Sequence, residues 1–165
     1  MKKLLIIRHA KSDWDNMELP DFDRPLNHRG EKNAPEMARR LLKKHIIPQH
    51  LVSSPALRAI STARDFADVL GINPEEIQQE KTIYEASFTI LLNLINTFDN
   101  RFDFIALFGH NPAVTNLVYH LSGKQVYNMP TCSMALIEFP FDKWEYISGN
   151  TGDLRWFDFP KKPQP

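Results

Sequence analysis

The stretch Leu4-Leu5-Ile6-Ile7-Arg8-His9-Ala10 predicts a short buried strand over residues 3–8 that ends in a cation and an imidazole. An unbroken apolar run of this length suits a strand covered on both faces, which is the habit of parallel sheets. Open α/β sheets bind their ligands just outside the carboxyl ends of the strands. The same arrangement returns later in the chain, where Phe104-Ile105-Ala106-Leu107-Phe108 runs into Gly109-His110-Asn111-Pro112. Two histidines are thus expected at strand ends, with arginines in reach.

Outward from these two strands, apolar periodicity alternates with turn chemistry. Residues 10–30 form a long polar segment with Asp13, Asp15, Asp21, Asp23, Pro20 and Pro25. A loop of that length in one domain is usually functional or mobile. Residues 31–45 predict a helix through Ala34, Met37, Ala38, Leu41 and Leu42, with Gly30 or Asn33 near its start. Leu51-Val52-Ser53-Ser54 is a short strand. Pro55 suits a first helical turn with Ser54 as its cap, and Gly71 suits the stop. A strand with its connection follows over 77–84, a helix over 87–98, a strand over 103–108 and a helix over 111–122 ended by Gly123. Ser133–Phe139, Lys143–Ser148 and Leu154–Phe157 are strand-like runs separated by turn residues, the pattern of an antiparallel edge.

Strands alternating with helices imply a three-layer α/β/α fold with a mostly parallel central sheet and an antiparallel C-terminal edge. At 165 residues the chain suits a single domain over 1–159, with 160–165 as a disordered tail. Twenty basic and twenty acidic residues cancel, which argues against a nucleic-acid surface but leaves room for a local basic pocket. Cys132 is the one cysteine, so neither an internal disulfide nor a multi-cysteine metal site is expected. The apolar stretch before Arg8 is too short for a signal peptide, and no run has membrane-spanning length. A cytoplasmic monomer is the expectation.

A phosphoryl group is a compact anion that calls for arginine forks, histidine donors and helix N-terminal amides. Arg8 beside His9, Arg58 in a first helical turn, and His110 before a helix supply these at equivalent strand ends. An unprotonated imidazole is a nucleophile toward phosphorus, and neighbouring arginines both disfavour its protonation and stabilise the transferring oxygens. Other chemistries fit poorly. No helix carries histidines at metal-ligand spacing, and the aspartates of 13–23 lack the glycine and terminal glutamate of a calcium loop. No Walker or dinucleotide glycine pattern is present, so neither metal nor cofactor is expected. His45 and His50 are expected to face solvent, and His120 to lie away from the site.

Arg8-His9-Ala10, Ser54-Pro55-Ala56-Leu57-Arg58-Ala59 with Ser61-Thr62-Ala63, and Gly109-His110-Asn111-Pro112 together resemble the signatures of the histidine phosphatase, or phosphoglycerate-mutase-like, superfamily. Ala after the histidine, Lys11-Ser12-Asp13-Trp14, and Asp23-Arg24-Pro25-Leu26-Asn27 with Gly30 resemble its SixA-type phosphohistidine phosphatase branch. The resemblance implies that His9 becomes phosphorylated and that Arg8, Arg58 and His110 hold the phosphoryl group. It implies two displacements without a metal. It nominates Glu85, in Ile83-Tyr84-Glu85-Ala86, as the general acid, with Asp13 as the second candidate. Mutase-like relatives carry Asn where this chain has Asp15, which weighs against a mutase. The implied substrate is phosphohistidine on a protein. A small phosphate ester at the same site, or a phosphate-binding module without turnover, are the alternatives.

Overall fold

The computed structural model describes residues 1–165. Strand β1 (Lys2–Arg8) has neighbours on both sides and helices over both faces, so Leu4, Leu5, Ile6 and Ile7 are all fully buried. The remaining strands are β2 (His50–Ser53), β3 (Gln78–Gln79), β4 (Phe104–Gly109), β5 (Met134–Phe139) and β6 (Asp153–Asp158), in the order β3-β2-β4-β1-β5-β6. The four strands from β3 to β1 run parallel, while β5 is antiparallel to β1 and β6 to β5. The antiparallel C-terminal edge is where it was expected.

Alternation along β1 divides the core. Leu5 and Ile7 pack with Met37, Ala38 and Leu41 of α1 (His28–Lys43) and with Ala63, Phe66 and Ala67 of α2 (Leu57–Leu70). Leu4 and Ile6 face Leu91 and Ile95 of α3 (Phe88–Ile95) and Val114, Leu117 and Val118 of α4 (Ala113–Ser122). The architecture is α/β/α, as the alternation predicted. No helix is long and apolar enough to cross a membrane.

Several boundaries moved, each for a local reason. Helix α1 begins at His28 rather than near 31, because the Asn27 side chain accepts the Gly30 N–H at 2.9 Å and caps it. Gly30 is required there, since a Cβ would run into the carbonyl oxygen of Lys11. Helix α2 begins at Leu57, not Pro55, because Ala56 is still extended at its φ of −55° and ψ of 138°. Strand β3 is two residues long and gives way to a 3-10 turn at Lys81–Ile83. Helix α3 is shorter than 87–98, with Ser87 as its cap.

The strand expected over Lys143–Ser148 is absent. Trp144–Tyr146 is a 3-10 turn. The Asn96 amide donates to the Trp144 and Ile147 carbonyls, both at 2.9 Å, taking acceptors a ladder would need. The buried Trp144 indole donates to the Phe102 carbonyl at 2.8 Å. His50 does not face solvent. It starts β2, bonds Gln78 at 2.9 Å and stacks on Phe102 at 4.6 Å. Beyond β6, Arg40 holds Asp158 at 3.0 Å and the Pro160 carbonyl at 2.8 Å. Residues 161–165 are exposed and outside any regular element.

Candidate active site

Sheet register brings the site together. Arg8 of β1 is level with Gly109 of β4, and Ser53 of β2 is level with Phe108. The next residues, His9, His110 and Ser54, therefore leave the sheet side by side at its carboxyl edge. The two imidazoles lie 5.0 Å apart between ring centroids.

His9 is buried, and its Nδ1 lies 2.8 Å from the Ala10 carbonyl. A carbonyl only accepts, so Nδ1 carries the proton and Nε2 presents its lone pair. Arg58 Nε donates to that Nε2 at 3.3 Å. Thr62 ties the two together: its hydroxyl accepts the Ala10 N–H at 3.0 Å and donates to the Arg58 carbonyl at 2.7 Å. This is the place of Ser61-Thr62-Ala63 in the fold. His110 Nε2 meets the Ser54 hydroxyl at 2.8 Å, and Ser54 also accepts the Ala56 N–H at 3.2 Å. Arg8 Nη1 donates to the Met129 carbonyl at 2.8 Å. Arg8 Nε and His110 Nδ1 are buried without a partner. Buried polar atoms seldom go unpaired; the Arg8 Nε–H, and His110 Nδ1 in the tautomer whose Nε2 accepts the Ser54 hydroxyl, are donors free for acceptor oxygens.

Arg8, His9, Arg58 and His110 line a cavity of about 300 Å³ with Lys11, Ser12, Trp14, Asp21, Asn111 and Thr131. A larger cavity of about 540 Å³ lies along α4, among Phe88, Tyr119, His120 and Gln125, and has no arginine or lysine in its wall. No group of His, Cys, Asp and Glu side chains is placed to hold a metal ion.

Both histidines are held neutral. Burial is the main cause at His9, pushing its pKa down from 6.5 to about 3, against the Ala10 bond and with help from His110, Arg58 and Arg8. Burial again leads at His110, down to about 4, with Arg58 and Arg8 adding and Asp21 opposing. The arginines therefore act as expected, but dehydration of the rings does more. A stability consequence follows with a definite sign. The unfolded chain protonates these rings below about pH 6.5 while the folded chain refuses the protons. Stability is accordingly lost as pH falls from about 6.5 towards 4, by about 1.4 kcal/mol per pH unit for each ring. The slope of urea-unfolding free energy against pH should drop by one ring's share in His9→Gln; an unchanged slope would contradict the neutral, buried assignment.

The candidates outside this cluster fare differently. Glu85 is exposed, has a φ of 61°, and is not among the cavity's lining residues. Asp13 accepts the Asp15 N–H at 2.7 Å, and neither lines the cavity. The carboxylate in the wall is Asp21, which was not singled out. Its Oδ2 accepts Arg58 Nη2 at 3.0 Å and the Tyr84 hydroxyl at 2.7 Å, and its carbonyl accepts Arg58 Nη1 at 2.7 Å. Those bonds hold its carboxyl below the ordinary carboxylate range, the Tyr84 bond foremost. Tyr84, also missed, stands edge-on to His110 at 5.6 Å. Nothing local in the sequence distinguishes Asp21 from its neighbours in the loop.

A strand-end Arg-His pair, a second strand-end His and an Arg in the first turn of α2 define a phosphate-handling α/β protein. The sequence pattern of the Histidine phosphatase superfamily (branch 1) matches residues 4–103. The chain belongs to that superfamily, and its fold is of the SixA type. An uncharacterised chloroplastic protein of Arabidopsis thaliana is 29% identical over 94% of this chain and 74% of its own length. Phosphoserine phosphatase 1 of Hydrogenobacter thermophilus is 33% identical over 50% of this chain and 38% of its own. Among solved structures, the Agrobacterium tumefaciens protein assigned as phosphohistidine phosphatase SixA superposes with a TM-score of 0.81, at 24% identity, covering 96% of this chain and 98% of that one. His110 lies beyond the matched 4–103, and sheet register is what joins it to the motif residues.

Proposed function

We propose that this phosphatase works through a phosphohistidine at His9, with phosphohistidine on a protein as its substrate. The observation that carries the reading is the His9 tautomer: Nδ1–H is fixed on the Ala10 carbonyl, which leaves the Nε2 lone pair toward the cavity, where it accepts the long 3.3 Å bond from Arg58 that an arriving phosphoryl group replaces. In the first displacement Nε2 bonds to phosphorus, and the bond to the leaving nitrogen or oxygen breaks. The leaving atom takes a proton. In the second, water attacks phospho-His9, inorganic phosphate departs, and Nε2 recovers its lone pair. Arg8, Arg58 and His110 hold the equatorial oxygens, where their donors stabilise charge that spreads in the transition state. For esters the leaving-group proton is assigned to Glu85, which stands exposed on the turn after Tyr84 and must move in from outside the cavity wall to deliver it. A protonated nitrogen leaving group needs less of that help.

Support for the protein substrate comes from the SixA-type fold. Support for a small ester comes from the shorter match to phosphoserine phosphatase 1. Phosphate release, in chelator, from a phosphohistidine-bearing protein and from O-phosphoserine decides. The expected outcome is higher kcat/KM on phosphohistidine, with Glu85→Gln lowering ester hydrolysis about a hundredfold and phosphohistidine hydrolysis far less. Faster O-phosphoserine turnover would favour the ester reading. Phosphate binding without release from either would favour a recognition module.

A further inference from the structure

Asp21 is an odd neighbour for a phosphoryl group. It enters the cavity wall from the 3-10 turn Asp21–Asp23, in the segment between β1 and α1. That turn is pinned. Arg24 next to it is buried, stacks its guanidinium over Trp14 at 3.9 Å and stands 3.7 Å from Asp21 Oδ1. The carboxylate is thus fixed on Arg58 and Tyr84 through Oδ2, while its side chain stays 47% exposed and Oδ1 has no hydrogen-bond donor.

Charge in the cavity is correspondingly limited. Arg8, Arg58 and Lys11 are its cations, Asp21 is its one carboxylate, and the two histidines are neutral. A phosphoryl dianion takes up what positive charge remains. Lys11 makes no ion pair, so a second anion on the substrate shares that one cation with the phosphoryl group and meets Asp21. A leaving group with an N–H finds an acceptor in the same place.

We propose that Asp21 is the specificity-determining residue of this site: its carboxylate turns away substrates with a second anion beside the phosphoryl group and admits neutral or cationic leaving groups such as the imidazole of phosphohistidine. The inference rests on the phosphatase reading above and narrows its substrate class. It also accounts for a site whose fourth charge has the wrong sign for binding phosphate alone.

The test uses a pair of probes that differ in charge and hardly in size, O-phosphoglycolate and its carboxamide. The readout is the ratio of their kcat/KM values in wild type and in Asp21→Asn. Asn keeps the shape and removes the charge, and the ratio cancels any common loss from a displaced Arg58. The carboxylate-to-amide ratio is expected to rise about fivefold in Asp21→Asn, the size of a like-charge contact at about 4 Å screened as in water, which suits a half-exposed carboxylate. Tyr84→Phe removes a bond to Asp21 but leaves its charge, so its ratio should stay at the wild-type value. A ratio unmoved in Asp21→Asn, or moved equally in Tyr84→Phe, would show that Asp21 only props Arg58. Failure of the phosphatase reading itself looks different: no His9-dependent release from either probe by wild type, which overturns this inference as well.

Discussion

His9→Ala is expected to lower kcat/KM by about 10⁴-fold or more on every phosphorylated substrate, chelator present, while inorganic phosphate still binds. The reason is in the geometry of the ring. His9 lines the same cavity as Arg8 and His110, and the Nδ1–H bond to Ala10 on the far side of the imidazole leaves the Nε2 lone pair on the cavity side. Without it, water would have to attack the substrate directly, from a position nothing in the cavity prepares. Binding should persist because Arg8, Arg58 and His110 are untouched. Phosphate release and calorimetric phosphate titration on one preparation, with circular dichroism as the check on folding, give the answer. More than about 1% of wild-type activity in the variant would remove His9 from the mechanism.

The second large effect is expected at Arg58. Arg58→Gln should cost about 10³-fold in kcat/KM, at the upper end of what one lost transition-state donor costs, because this guanidinium lines the cavity and donates to His9, the proposed nucleophile. A second signature accompanies the loss. Burial is the largest cause of the low His9 pKa, and Arg58 contributes beside it, so removing the cation raises that pKa. A nucleophilic His9 has to be neutral, so on the proposed mechanism the acid limb of kcat/KM should move to higher pH in the variant. Arg58→Lys should restore the limb better than the rate, since an ammonium keeps the charge but not the fork. An acid limb that stays in place, or a loss under tenfold, would assign Arg58 to structure.

Much of this was legible in the chain because strand ends are legible. Leu4–Ile7 and Phe104–Phe108 are apolar without interruption, and the polar residues that follow must lie at the sheet's edge. Arg58 was legible from Pro55, which places it in the first turn of a helix, and it stays in the first turn although α2 starts two residues later, at Leu57. Misreadings came where a side chain captured a backbone group. Ser54 capped nothing in the ordinary sense, because its hydroxyl is committed to His110 as well as to the Ala56 N–H. Trp144 and Ile147 have strand-forming side chains, yet Asn96, some fifty residues away, takes their carbonyls. Asp21 escaped notice for the same kind of reason. Its role depends on contacts with Arg58 and Tyr84, which lie 37 and 63 residues further on, and no periodicity encodes such a meeting.

The sheet order also has a kinetic side. Strand β1 is the first element of this chain, but its two neighbours are β4 at Phe104–Gly109 and β5 at Met134–Phe139. During synthesis this apolar run must wait for β4, some hundred residues further on, before it has a partner. Closing contacts over such separations is slow, and an unpaired apolar strand is open to association with other chains in the meantime. Lys2 and Lys3 before the run and Arg8 after it place like charges at both its ends. Charges that flank an unavoidable sticky segment act as gatekeepers against aggregation. Arg8 then serves the growing polypeptide before it serves the finished site.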